Sequence, residues 1–196
     1  FRLFAALSMG SAFEPWELDD GGIDLDGLQQ SSGFTKVLQR LEGELSSLPL
    51  AGVHNPPKAI YSMFNKWKCH SMLSKLGVAQ PKRYGQVHSL SDLRAMLSTN
   101  GTDRAFLKPF YGSSASGVIA FRQAGNRMTA TTSVEVQGEG ADLRLFNSLK
   151  VRTYTDPVVI DAIITQLGQE NLLAEEWIPK ASLQEATFDL RVVVMF

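Results

Sequence analysis

The segment Phe106–Arg122, F-L-K-P-F-Y-G-S-S-A-S-G-V-I-A-F-R, constrains the fold more than any other part of the chain. Phe106-Leu107-Lys108 is apolar around one lysine, which suits a buried strand. Pro109 ends the ladder of that strand because it has no N–H to donate. Gly112-Ser113-Ser114-Ala115-Ser116-Gly117 is small and polar, and Val118–Arg122 again has the composition of a strand. The order is therefore strand, small-residue loop, strand. Glycines let such a loop take positive φ and let a ligand approach the backbone. Consecutive N–H groups in it can form an anion-binding concavity, and Lys108 sets a point charge beside it. The loop is not a P-loop, because Val118 follows Gly117 where that motif needs Lys, and it does not open a helix as G-x-G-x-x-G does. A serine-rich hairpin tip preceded by a lysine is the alternative reading.

The chain has 196 residues, 44% hydrophobic and 20% charged, enough for a sizeable core. A formal net charge of -1 gives no global pull toward nucleic acid or an anionic membrane, so neither is expected as a partner. Cys69 is the only cysteine, which excludes an intrachain disulfide and fits a cytoplasmic location. No apolar run approaches the ~18 residues of a membrane helix. Phe1–Phe13 reads as a cut strand or helix, not a signal sequence, and Leu190–Phe196 as a strand interrupted at its apolar peak. The chain is thus expected to be a fragment at both ends.

Glu14–Gln30 is an acidic, glycine-rich connector, and its aspartates do not match the spacing of a calcium loop. Phe34–Leu48 has helical apolar spacing. Residues 1–50 are expected to be the remnant of a preceding domain and connector. Asn55-Pro56-Pro57 starts the next helix, with Asn55 a candidate N-cap. Ile60–Leu76 then reads as one helix with a buried stripe of Ile60, Phe64, Trp67, Met72, Leu73 and Leu76, ended by Gly77. Ser89-Leu90-Ser91-Asp92 looks like a capping box. Strands are expected over Thr102–Pro109, Thr129–Val136 and Leu143–Tyr154, the last carrying Arg144, Lys150 and Arg152 as substrate-facing candidates. A helix follows over Asp156–Leu167, capped by Asp156 and stopped by Gly168. Leu172–Ala174 is a strand leading into Glu175-Glu176-Trp177-Ile178. In Asp189-Leu190-Arg191, alternation sets Asp189 and Arg191 on one strand face and Leu190, Val192, Val194 and Phe196 on the other.

Taken in order from Asn55 to Phe196, these segments resemble the ATP-grasp ligases, closest to the branch of ribosomal-protein glutamate ligases and similar amino-acid ligases. The resemblance rests on Asn65-Lys66, Leu73–Pro81, Lys108-Pro109, the Gly112–Gly117 loop, Glu176-Trp177-Ile178 and Asp189-Leu190-Arg191. It implies an α+β fold in which two α/β lobes clamp ATP. Residues 51–179 would be the central helix and small lobe, and 180–196 the start of a large lobe that is incomplete at the C-terminus. It assigns Lys66 and Lys108 to the phosphates, and Gly112, Ser113, Ser114, Ser116 and Gly117 to a covering loop. It assigns the backbone of Glu176, Trp177 and Ile178 to adenine, Asp189 to ribose, and Arg191 to catalysis at the phosphate or acyl phosphate. Asn65 departs from the usual Asp, and Lys68 lies near enough to compete with Lys66 for the role. The family's Mg²⁺ ligands, an Asp and a Glu-x-Asn, would lie beyond residue 196. The implied activity joins a small-molecule or peptide carboxylate to an amine or thiol through an acyl phosphate, and it would belong to the intact parent; this truncated chain alone would bind nucleotide poorly or without turnover and be inactive. An ATP-grasp phosphotransferase and a non-catalytic nucleotide-binding module remain open beside it. Nothing in the sequence identifies the acceptor or the oligomeric state.

Overall fold

The computed structural model describes residues 23–24, 30–49, 52–112, 115–138, 140–169, 171–190 and 192. Phe1–Phe13, most of the acidic connector, Ser113, Ser114, Arg191 and Val193–Phe196 lie outside the described residues. The helices are α1 (Gln30–Ser46), α2 (Pro57–Phe64), α3 (Lys66–Lys75), α4 (Leu90–Thr99) and α5 (Pro157–Gly168). The strands are β1 (Ile23–Asp24), β2 (Arg83–Val87), β3 (Arg104–Pro109), β4 (Ile119–Ala124), β5 (Arg127–Gln137), β6 (Arg144–Tyr154) and β7 (Leu172–Glu175). A two-stranded ribbon of β8 (Ser182–Leu183) and β9 (Ala186–Thr187) follows.

Strands β1 to β7 form one sheet in the order β1-β6-β5-β4-β3-β7-β2, antiparallel at every pairing. The Gly112–Gly117 loop lies in the β3–β4 connection, with Leu107 opposite Ile119 and Ala105 opposite Phe121. Alternation along these strands sends Ala105, Leu107, Ile119, Phe121, Met128, Ala130 and Val134 to one buried face. Helices α4 and α5 cover it with Leu90, Leu93, Leu97, Ile160, Ile163, Ile164 and Leu167. Each fully buried Leu, Ile or Phe here contributes about 1.5–3 kcal/mol of burial energy. Strand β7 is buried along its whole length, as befits a strand flanked by β3 and β2.

The capping expectations hold at α4 and α5. Ser89 Oγ accepts the Asp92 N–H at 3.1 Å, and Asp92 Oδ2 accepts the His88 N–H at 3.1 Å. Asp156 Oδ1 accepts the Val158 N–H at 2.8 Å with Pro157 in the first turn. We expect Ser89→Ala to destabilise the protein by about 1 kcal/mol, read as a lower denaturant midpoint.

Other expectations are corrected. The single helix over Ile60–Leu76 is two, because Asn65 is extended (φ -83, ψ 100) and its side chain caps a new helix. That break changes the helical phase, so Met72 and Leu76 face solvent although they belong to the proposed stripe. Asn55 does not cap α2: Pro56 occupies that position without a side-chain hydrogen bond, and Asn55 itself has φ 56. Gly77 does take the left-handed conformation (φ 70) after α3. Gly168 is the last residue of α5, not a stop beyond it; a Cβ there would lie 2.8 Å from His88 Cα and 2.9 Å from its carbonyl oxygen. Asp189, Leu190 and Val192 carry no strand, and Leu190 and Val192 are strongly exposed, since no neighbouring strand among the described residues offers them a ladder.

Candidate functional site

The sheet face opposite α4 and α5 carries the chemistry. Pairing of β3 with β7 sets Phe106 opposite Glu175 and Lys108 opposite Leu173. Glu175 is thus the diagonal neighbour of Lys108 on the same face, and the two form an ion pair. The Glu175 side chain is 8% exposed and that of Lys108 29%, so the carboxylate is buried and the ammonium half-buried. The Lys108 ammonium also lies 5.3 Å from the centre of the Phe106 ring. Trp177 meets Phe106 edge-on, with ring centres 6.4 Å apart.

Lys66 reaches the same place from another element. As the first residue of α3 it donates its N–H to the Phe110 carbonyl at 2.9 Å and its ammonium to the Gly112 carbonyl at 2.8 Å. Burial and then the Lys108 charge together lower its pKa to about 8, with Glu175 acting in the opposite direction. Two ammonium groups from different elements are therefore held at the base of the glycine hairpin with one buried carboxylate between the strands. Lys68, the competing candidate, instead donates to the Tyr61 hydroxyl at 3.2 Å and lies over that ring.

The far half of the hairpin loop is anchored from β5. Ser133 Oγ donates to the Ala115 carbonyl at 3.1 Å, and Thr132 Oγ1 donates to the Val118 carbonyl at 2.6 Å. Gly112 has φ 119, and Gly117 has φ 67 with Pro109 packed where a Cβ would be. Both glycines are required by backbone conformation, as their place in the loop suggested. Ser116 is half-buried, and Gly112 is exposed.

Glu176 follows β7. Its N–H donates to the Lys82 carbonyl at 2.8 Å, and its carboxylate accepts the Lys82 N–H at 3.2 Å, which fixes the exit of the strand against the entry of β2. Ile178 is exposed beyond it. Asp189 is not drawn into the lysine group: its exposed carboxylate accepts from Lys180 at 2.6 Å. Arg191 falls outside the described residues. Of the β6 candidates, Arg152 pairs with Glu135, while Arg144 and Lys150 are exposed. Among the described residues no group of three or more His, Cys, Asp or Glu converges in a way that would hold a metal ion. The donor set does fit a polyphosphate: two ammonium groups and a loop of small residues beside them.

Sequence reasoning missed Glu175, Asn65 and Tyr111 as members of this site. Glu175 was legible as the last residue in phase with Leu173 on the strand, but only the β3 register shows that it meets Lys108. Asn65 stood out only as the residue before Lys66, and nothing in the sequence joined it to Tyr111, because their contact spans a sequence separation of 46.

The fold, helices on an antiparallel sheet, is compatible with the ATP-grasp class, in which ATP binding and ligase-type chemistry are general. A family model described as YheC/D-like ATP-grasp matches residues 57–195, and the chain belongs to that family. The match starts at the first residue of α2 and leaves α1 outside. No curated protein and no solved structure matches the chain. No helix among the described residues is long and apolar enough to cross a membrane.

A nucleotide held through Lys66 would bind in a pH-dependent way. Phosphate oxygens favour the charged amine, so a Lys66 that is neutral in the free protein must take up a proton on binding. We expect ATP affinity to be flat between pH 7 and about 8, then to fall by up to roughly tenfold per unit as pH rises further. Calorimetry across this range in two buffers of different ionisation enthalpy measures both the fall and the proton uptake. The sign for folding is the reverse. Above about 8 the folded chain releases a proton that the unfolded chain keeps to 10.5, so this group favours the folded state increasingly as pH rises through that window.

Proposed function

We propose that this chain is the ATP-binding part of a ligase that activates a carboxylate as an acyl phosphate and passes it to an amine or thiol. The observation that carries the reading is the convergence of Lys66 and Lys108 at the base of the Gly112–Gly117 hairpin, with Glu175 buried beside them. Their charges offset those of the phosphates, and the half-buried setting makes each contact worth more than it would be in water. The loop, with Ser113, Ser114 and Ser116, closes over the phosphates and excludes water. The backbone at Glu176-Trp177-Ile178 takes the adenine edge, a role supported by the double tie of Glu176 to Lys82, which pre-orders this segment. Asp189 and Arg191 complete the site at the ribose and at the transferred phosphoryl group. For Asp189 this requires release from Lys180. Mg²⁺ supplied with ATP would offset the charge developing on the phosphates, and the resemblance puts its protein ligands beyond residue 196. The amino-acid ligase branch is the proposed relative, with amino acids or peptides as substrates and the cytoplasm as location.

The test is ADP formation by the intact ligase, of which this chain is the proposed ATP-binding part, with MgATP, a panel of amino acids and acidic peptides, and hydroxylamine as nucleophile. A carboxylate-dependent hydroxamate is the expected product, because hydroxylamine captures acyl phosphates. A stable phosphorylated product without hydroxamate moves the reading to a phosphotransferase. Saturable ATP binding with no ADP formed from any carboxylate moves it to a non-catalytic module.

A further inference from the structure

The first turn of α3 is fastened to the segment after β3 by more than Lys66. Asn65 is 5% exposed, and both ends of its amide are used. Its Oδ1 accepts the Lys68 N–H at 2.9 Å and so caps α3, while its Nδ2 donates to the Tyr111 hydroxyl at 2.7 Å. The Tyr61 hydroxyl accepts from the Lys68 ammonium at 3.2 Å. Tyr61 and Tyr111 lie near enough to shift each other's titration: Tyr111 and then the Lys68 ammonium lower the Tyr61 pKa, and burial and then Tyr61 raise that of Tyr111. The hydrogen bonds of Asn65 and Lys68 thus tie together α2, the start of α3 and the residue next to Gly112.

A cap alone would not need this. Ser, Thr or Asp serves as N-cap through an oxygen, but none offers the amide donor that Tyr111 receives. We propose that the Tyr111 hydroxyl is a positioning group for the nucleotide site: through Asn65 it holds the first turn of α3, and with it the Lys66 ammonium, over Gly112 at the base of the glycine hairpin. The proposal deepens the ATP-binding reading and rests on it only for the identity of the anion that Lys66 awaits. The charged and titratable groups around Lys66 are Lys108 from β3, Glu175 from β7, Tyr111 beside the hairpin, Tyr61 from α2 and Lys68 on α3 itself. Tyr111→Phe removes no charge from this set. Any change in Lys66 then reports a change in its position and solvation.

The experiment is competitive acetylation of the protein as a function of pH, read at Lys66 by mass spectrometry, with and without ATP, beside hydrogen exchange at Gly112 and Ala115–Gly117. In the wild type we expect a Lys66 midpoint near 8 and protection by ATP. In Tyr111→Phe the midpoint rises by roughly one unit as the ammonium regains water. The ATP concentration giving half protection increases about fivefold, the equivalent of one hydrogen bond, and exchange at the hairpin quickens. Ser89→Ala, which loosens α4 away from this site, controls for lowered stability and should move none of these readouts. A Tyr111→Phe protein with the wild-type Lys66 midpoint and wild-type hairpin exchange overturns the proposal. So does an equal shift in Ser89→Ala, which would make the effect one of stability alone. If ATP fails to protect Lys66 in the wild type while Tyr111→Phe still shifts the midpoint, the positioning role stands and the nucleotide reading falls.

Discussion

Lys108→Ala should weaken ATP binding by roughly 10- to 100-fold, since a hydrogen bond to a charged group is worth about 1.5–3 kcal/mol. It should also destabilise the fold, because Glu175, with a side chain 8% exposed, loses its partner. Breaking a fully buried pair costs about 3–5 kcal/mol, and the 29% exposure of Lys108 puts the expected loss below that range. The two effects can be separated. In the double variant Lys108→Met, Glu175→Gln, no charge is left in the pair, so most of the stability should return while ATP affinity stays low. Glu175→Gln alone keeps the ammonium and should reduce ATP affinity less than Lys108→Ala does. Denaturant titration gives the first quantity and calorimetry the second. Recovery of ATP binding in the double variant would mean that Lys108 acts only through the fold and does not touch the phosphates.

Gly117→Ala should destabilise the protein by about 2–4 kcal/mol, combining a left-handed backbone with a steric collision. Gly117 has φ +67, and a Cβ there would lie 2.8 Å from Pro109 Cγ and 3.6 Å from Leu167 Cδ2. The proline ring cannot swing aside as a flexible chain could, because it closes on its own backbone. Relief must come from movement of the hairpin or of the β3 end that carries Lys108, so ATP affinity should fall with stability. Gly125 is the natural comparison: it has φ +61 in the β4–β5 turn but open space around its missing side chain. Gly125→Ala should cost only the backbone term, about 1–2 kcal/mol. Equal losses at the two positions would show that the Pro109 contact is not rigid.

Much of this arrangement is local and was legible in the residues. Alternation of apolar positions, the caps at Ser89 and Asp156, and Pro109 before a glycine loop are decided within a few residues of chain, by φ preference and by hydrogen bonds that close on near neighbours. They set β3 to β7 and the helix α5 to within a residue or two, fix the cap of α4, and set the β3–β4 hairpin with Lys108 at its edge; β1, β2 and the β8–β9 ribbon were not legible in this way. Lys108 and the loop glycines could be singled out for the same reason. Local rules failed at Asn65, where an extended residue that caps the next helix costs little more than continuing the turn. The Asn65 side chain there is held by a hydroxyl far along the chain, on Tyr111. Glu175 rather than its neighbour Glu176 meets Lys108 because of the β3–β7 register, and register belongs to a pair of strands, not to either one. The setting of Lys66 is likewise tertiary. Its pKa near 8 comes from burial against the hairpin and from the charge of a lysine on another strand, and neither exists until the sheet has formed. The residues of α3 and β3 determine by themselves that two lysines are present on two elements; only the packing of those elements decides that both ammonium groups meet at one glycine loop.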